Sequence, residues 1–202
     1  MEFICIGLGN PGEEYEHSRH NTGMIVLSEI ARKRRFSDWK KDRGLRALAS
    51  EGNIGEHDVL FVLPQTYMNR SGYTAKKLIS SQKEAETLVV VHDEIDLPLG
   101  TFRISFGRGD AGHNGVRSIT ESLGTKDFIR IRVGVSPKIR GRDVPKKPKG
   151  EKKVLDFLLG DFRKAEETAV TLLANDIYAA LETIFDEGYE QAMNEFNEKR
   201  SA

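Results

Sequence analysis

The sequence predicts an α/β protein with a mixed sheet, and three observations carry that expectation. Short apolar runs alternate with helical patterns along the chain, as strands that need helical cover do. The run Leu88–Val91 (LVVV) is apolar throughout, as a strand buried on both faces must be. The stretch EGNIGEHDVLFVL reads as a hairpin, which adds an antiparallel pair to the parallel strands.

Taken in order, strands are predicted at Phe3–Ile6, Val59–Leu63, Leu88–Val91, Phe102–Phe106 and Phe128–Val135. In the last, Ile129, Ile131, Val133 and Val135 alternate with Arg130 and Arg132, the period of a strand with two unlike faces. Met24, Leu27, Ile30 and Ala31 share one helical face behind the capping candidates Asn21 and Thr22. Ala169, Leu172, Leu173, Ile177, Ala180, Leu181 and Ile184 mark a long amphipathic helix at about 161–187, with Gly188 as its stop. The Pro-, Gly- and Lys-rich SPKIRGRDVPKKPKGEKK reads as a mobile surface loop.

With 202 residues, 38% hydrophobic and 31% charged, one domain with a real core is expected. No apolar run approaches the roughly 20 residues that span a bilayer. The opening MEFICIGLG lacks the basic start of a signal peptide. The single cysteine, Cys5, excludes an intramolecular disulfide and a cysteine zinc site. A cytoplasmic protein is expected.

The net charge of zero hides an asymmetry. Lys138–Lys153 carries eight Lys/Arg against Asp143 and Glu151, a net of +6, whereas Gly160–Ala202 carries ten Asp/Glu against four Lys/Arg, a net of −6. A second basic cluster, Arg32–Arg35, closes the first helix. Such clusters either neutralise phosphates or simply solvate a loop and complement a helix C-terminus.

Gly7, Gly9 and Gly12 have the spacing of a dinucleotide-binding turn. Against that reading, Pro11 removes a backbone donor, Glu13, Glu14 and Glu16 would repel phosphates, and no acidic strand end follows at ribose-binding distance. A tight turn bringing backbone close to a site is the better reading. A metal cluster from His17, His20, His92 and Asp93 matches no ligand motif. Cys5 sits mid-strand like a core residue, Ser71 reads as a helix cap, His57 as an exposed turn residue, and His92 as a core or supporting histidine. What gathers beyond the strand ends is Asn10 and His20, then Tyr67 and Asn69, then His92 and Asp93, with His113 and Asn114 opening a helix. A histidine with a carboxylate and no nucleophile suits general-base activation of water.

The blocks GLGNPGEEYEHSRHNTG, PQTYMNRSG, VHDEIDLPLG, GHNGVRSI and FIRIRVGV occur in an order and spacing that resemble bacterial-type peptidyl-tRNA hydrolases, from Phe3 to about Phe162. The resemblance implies a single α/β domain with a largely parallel, twisted sheet surrounded by helices. It implies hydrolysis of the ester between a peptide, or an N-blocked amino acid, and tRNA, by a monomer without metal or cofactor. By resemblance His20 is the general base, Asp93 orients it, and Asn10 helps distinguish blocked from free aminoacyl ends. Asn69 and Asn114 hold peptide and water, and Tyr15, Tyr67, Met68 and His113 wall the cleft. The loop at 136–153 is longer than in the family pattern and is read as contacting tRNA backbone, with Arg130, Arg132 and Arg32–Arg35 as weaker candidates. The rivals are a non-catalytic RNA-binding relative, disfavoured by the retained His20, Asp93 and three asparagines, and an interaction module using the acidic C-terminal helix, whose apolar stripe is better read as packing on the sheet.

Overall fold

The computed structural model describes residues 3–140, 142 and 144–198. Asp143, Lys199 and Arg200, which entered the charge counts above, and the first two residues of the opening MEFICIGLG lie outside them. Elements follow as β1 (Phe3–Gly7), α1 (Thr22–Arg34), β2 (Lys40–Asp42), β3 (Ala47–Ile54), β4 (His57–Pro64), α2 (Gly72–Leu78), α3 (Gln82–Ala85), β5 (Val89–Pro98), β6 (Phe102–Phe106), α4 (Asn114–Leu123), β7 (Ile129–Ser136), α5 (Glu151–Leu159), α6 (Lys164–Glu187) and α7 (Tyr189–Glu198).

One seven-stranded sheet has the order β2-β3-β4-β1-β5-β7-β6. The central strands β4, β1, β5 and β7 are parallel, and β2, β3 and β6 pair antiparallel at the two sides. The expected hairpin is β3–β4. Strand alternation sorts the core into two layers. Cys5, Val89, Val91, Ile129 and Ile131 face α1 and α6, with Ile177 and Leu181 among the helix residues opposite. Ile6, Val62, Val90 and Phe128 face α2 and α4, against Ala75, Val116 and Ile119. Gly188, at φ 94°, ends α6.

Several expectations need correction. Strand β5 runs on to Pro98, so His92 and Asp93 lie within it and not beyond it. They pair with Arg132 and Val133 of β7; the partners of Asp93 are described below, and His92 is satisfied at Nδ1 while its buried Nε2 has no hydrogen-bond partner among the described residues. The basic stretch is not loop throughout. Ile139 N donates to Val144 O at 2.9 Å, Lys146 N to Pro137 O at 2.7 Å, and Glu151, Lys152 and Lys153 form the first turn of α5. Asn21 and Ser71 make no side-chain cap; the Ser71 hydroxyl instead donates back to Met68 O at 2.9 Å. His57 opens β4 and bonds Asp186 of α6 at 2.8 Å. Arg130 is 2% exposed and Arg132 pairs with Glu94 at 2.8 Å, so neither is a free surface cation. Arg32 and Lys33 pair with Glu29, and Arg34 stacks on Tyr178 at 3.9 Å. Cys5 is buried, which raises its thiol pKa and leaves it an inert core residue.

The glycine turn belongs to close packing. Helix α1 starts only at Thr22, well past Gly12, and only the single 3-10 turn Glu13–Tyr15 follows the glycines, so no α-helix N-terminus meets them as a dinucleotide turn requires. A Cβ on Gly7 would meet Gly23 O at 2.6 Å, and one on Gly23 would meet Val91 O at 2.2 Å and Leu8 N at 2.4 Å. Backbone blocks that Cβ on every side. Gly23→Ala should therefore lift α1 from the sheet and cost about 1–3 kcal/mol, read as a lowered midpoint in chemical denaturation.

Candidate active site

Ligands of open α/β sheets bind at the carboxyl edge where the connections diverge. Here the chain leaving β1 continues toward β4 on one side, while β5 lies on the other. Pairing of β1 with β5 ends at Gly7 and Val91. Asp93 lies just beyond, where β1 has turned away and left room for side chains.

That room holds a chain of hydrogen bonds. Backbone N–H groups of Gly115 and Val116, in the first turn of α4, donate to His113 Nδ1 at 3.1 and 3.4 Å. His113 must then carry its proton on Nε2, which donates to Asp93 Oδ1 at 2.9 Å. The Asp93 carboxylate also accepts from His20 Nδ1 at 3.0 Å to each oxygen. The Asp93 side chain is fully buried and those of His20 and His113 nearly so. Among the described residues His20 Nε2 has no hydrogen-bond partner, and His20 borders the cleft that Asp93, His113 and Asn114 also line, about 540 Å³ in volume. An imidazole so held is an acceptor for a proton from water.

Electrostatics favour this arrangement. Burial alone would lower the His20 pKa, but the charge and hydrogen bond of Asp93 outweigh it and raise it above the ordinary imidazole value. Burial alone would raise the Asp93 carboxyl, yet His20 and His113 hold it far below the usual carboxylate range. Beneath them, buried His92 has Nδ1 at 2.7 Å from Asp93 O, and its ring meets His113 edge-on at 4.6 Å between centroids. Burial first, then the neighbouring His113, pulls His92 well below its ordinary pKa, so it packs as a neutral ring.

His20, Asp93 and His113 offer atoms within 4.8 Å of one another, close enough to suggest a metal. The hydrogen bonds oppose that use. Both His20 Nδ1 and His113 Nε2 point their protons at Asp93, so no lone pair of either ring faces a common ion.

The asparagines divide. Asn10 Oδ1 accepts from Met68 N at 2.8 Å, and its amide N–H groups have no partner among the described residues. Its backbone is clamped by Asn21, which accepts from Asn10 N at 2.8 Å and donates to Asn10 O at 3.0 Å. That clamp is why Asn21 does not cap α1. Asn10 faces an adjoining depression on the far side of the Arg19–Asn21 turn. Asn114 is in the cleft, exposed at the start of α4. Asn69 and Tyr67 are exposed beside the Met68–Arg70 turn, Met68 is buried, and Tyr15 is half-buried at the end of the Glu13–Tyr15 turn. None of these four borders the cleft around His20.

Sequence reasoning treated His113 as wall only; its place in the Asp93 cluster, and Asn21 and Arg19, were missed. Arg19 donates to Gly160 O at 3.0 Å and to Glu166 Oε2 at 2.8 Å, and its guanidinium lies 4.5 Å from the Phe157 ring centroid. It ties the His20 turn to the C-terminus of α5, whose Val154, Leu155 and Leu158 roof the cleft. The only available signal was its adjacency to His20.

These features define a class: an α/β protein whose buried carboxylate, at the carboxyl edge of parallel strands, holds one imidazole open to a cleft. The peptidyl-tRNA hydrolase family model matches residues 4–202, and this chain belongs to that family. The peptidyl-tRNA hydrolase of Syntrophotalea carbinolica is 39% identical over 197 residues, covering 97% of each chain. That of Kineococcus radiotolerans is 37% identical over 201 residues, covering 96% of each. The crystal structure of peptidyl-tRNA hydrolase from Acinetobacter baumannii superposes with a TM-score of 0.84 at 30% identity, covering 97% of this chain and 94% of that one.

The shared carboxylate has a measurable signature. Replacing Asp93 by Asn removes the charge that raises His20, so the His20 pKa should fall, followed by NMR titration of its ring protons. The linkage signs are opposed. The His20 contribution to stability is complete below the unfolded imidazole pKa of about 6.5 and disappears as pH rises through the raised folded value. The Asp93 contribution is complete above the unfolded carboxyl pKa of about 3.9 and disappears as pH falls toward its depressed one. Wild-type stability should therefore decline on both sides, and both slopes should flatten in Asp93→Asn, measured as denaturation midpoints against pH.

Proposed function

We propose that the protein hydrolyses the ester joining a peptide, or an N-blocked amino acid, to tRNA, with His20 as the general base. The open Nε2 of His20, backed by buried Asp93, is the observation that carries the reading. Nε2 takes a proton from water, and the resulting imidazolium is stabilised by the carboxylate on its other nitrogen. The water oxygen attacks the ester carbonyl. As the ribose oxygen leaves, the imidazolium returns the proton to it, and free tRNA departs.

Family membership supports the substrate. Asn114, exposed in the cleft, is placed to donate to the developing oxyanion. The partnerless amide N–H groups of Asn10 suit recognition of an acylated peptide carbonyl, which a free aminoacyl end lacks. Asn69, Tyr15, Tyr67 and Met68 lie outside the cleft around His20, on the Asn10 side where Met68 N donates to Asn10 Oδ1, and would meet the peptide only beyond its ester end, while His113 acts through Asp93. The protein works as a monomer in the cytoplasm, without metal or cofactor. Among the described residues no helix is long and apolar enough to cross a membrane.

The test is hydrolysis of N-acetyl-aminoacyl-tRNA against unblocked aminoacyl-tRNA. Only the blocked substrate should be cleaved; equal cleavage would mean a general esterase, and none an RNA-binding relative. His20→Ala should lower kcat by about 10²–10⁴-fold, the range of one general base, while tRNA binding persists. Wild-type kcat/KM should rise with pH, with a midpoint above 6.5 as the raised His20 pKa requires. Unchanged turnover in the variant, or a flat profile, removes His20 from the role.

The basic stretch supports a contact with tRNA backbone at the mouth of the cleft. Lys147 borders the cleft and pairs with Asp96. Replacing Lys146, Lys147 and Lys149 with alanine should raise KM and flatten its salt dependence, read from rates between low and moderate salt.

A further inference from the structure

On the α2–α4 side of the sheet lies a second depression, about 480 Å³ in volume, which the cleft chemistry does not use. Four cations border it: Arg46 from the β2–β3 connection, Arg70 from the turn before α2, and Lys76 and Lys77 of α2. No carboxylate among the described residues stands within ion-pair distance of any of the four, whereas Arg32, Arg132 and Lys147 are all paired. Thr66 also lines it, 9% exposed. The Thr66 hydroxyl is buried without a hydrogen-bond partner among the described residues, an unmet demand that a native fold rarely tolerates.

The frame around these groups is rigid. A Cβ on Gly72 would stand 2.1 Å from Ser118 O, so α2 and α4 touch backbone to backbone there. Gly72 N donates to Ser118 Oγ at 3.0 Å, which leaves the Ser118 hydroxyl proton free to donate into the groove. Arg46 holds φ at 51°, a left-handed conformation uncommon outside glycine. Its guanidinium lies 4.4 Å from the Tyr73 ring centroid, and its carbonyl accepts from Gln65 N at 2.7 Å. The cation is therefore held over the groove by both ends of the residue.

We infer that this groove binds phosphates of the RNA backbone, as a second contact for tRNA separate from the catalytic cleft. The inference rests on the peptidyl-tRNA reading for its choice of polymer. Unpaired cations with neutral hydroxyl donors and no carboxylate suit an oxyanion, and arginine's fork matches phosphate. Inside the cleft Glu94, Asp96, Asp110 and Glu151 stand beside Asp93, which confines backbone contacts there to its basic mouth. Helix α4 joins the two places. It opens at Asn114 in the cleft, and Ser118 and Ser122 border the groove, about 6 and 12 Å further along the axis at 1.5 Å per residue. A polymer with its esterified end at His20 that follows α4 brings its charged backbone over the four cations.

The experiment compares two substrates in the full-length protein: N-acetyl-aminoacyl-tRNA and the same acyl group on the 3′-terminal adenosine alone, which carries no phosphate for the groove to bind. In Lys76→Gln/Lys77→Gln, KM for the tRNA substrate should rise about tenfold and the slope of log KM against log salt should fall by about 1–2. The acylated adenosine should change less than twofold, and the denaturation midpoint should hold. Lys83→Gln/Lys126→Gln removes the same charge from exposed positions outside the groove and should leave both substrates unaffected. An unchanged tRNA KM and salt slope in the first pair overturns the inference. So does an equal loss in the second pair, which would reflect only overall charge, or an equal loss on the acylated adenosine, which would place the effect in the cleft. Failure of the wild type to cleave either substrate would instead overturn the hydrolase reading. Binding of deacylated tRNA to the two pairs of variants, read by its salt slope, would then still decide the groove.

Discussion

The buried Asp93 carboxylate is the charge around which the site is organised. An isolated carboxylate there would be strongly destabilising, and it persists because two imidazoles donate to it. The polarity of the whole chain follows. First-turn N–H groups of α4 settle which nitrogen of His113 carries a proton, His113 settles one face of Asp93, and Asp93 settles the tautomer of His20. The last free atom in that sequence is a basic nitrogen aimed at the cleft. Removing any link frees a proton position elsewhere, so the general base is a property of the cluster rather than of one histidine.

The sheet supplies what the cluster cannot. Asp93 can be buried because β5 continues pairing with β7 after β1 has left. This explains what sequence reasoning missed in the strand. Polar His92 and Asp93 looked like a strand end because their partners, His20 and His113, come from distant parts of the chain. The parallel core was legible, since Leu88–Val91 and the alternation from Ile129 to Val135 reflect burial directly. The fate of the arginines was not. Arg130 and Arg132 share the polar face of that alternation, yet one is buried and the other is paired with Glu94. Nothing in a period-two pattern reports which cations find a carboxylate.

The same limit applies to charge clusters. The runs at Arg32–Arg35 and Lys138–Lys153 stood out because their charges are adjacent in sequence, and several of those charges are spent on Glu29, Tyr178 and Asp96. Arg46, Arg70, Lys76 and Lys77 are scattered over two connections and one helix and become a cluster only when α2 packs on α4. Site residues were more legible than surfaces because GHNG and HD are short local motifs, whereas a surface is assembled by tertiary packing.

Arg19 shows how the roof and the base become one body. Its neighbour His20 is held from one side by Asp93. From the other, Arg19 is spent on the last carbonyls of α5 and on Glu166, which also accepts from Arg163 N at 2.9 Å at the start of α6. A guanidinium 9% exposed, with a carboxylate partner and two aromatic faces, resists displacement, because breaking one contact leaves a buried charge. Movement of α5 over the cleft is thereby resisted by the same residue that fixes the backbone of His20. Proton abstraction demands sub-ångström placement of Nε2 against water and ester. A roof anchored to the neighbouring residue keeps that placement intact while the cleft is occupied.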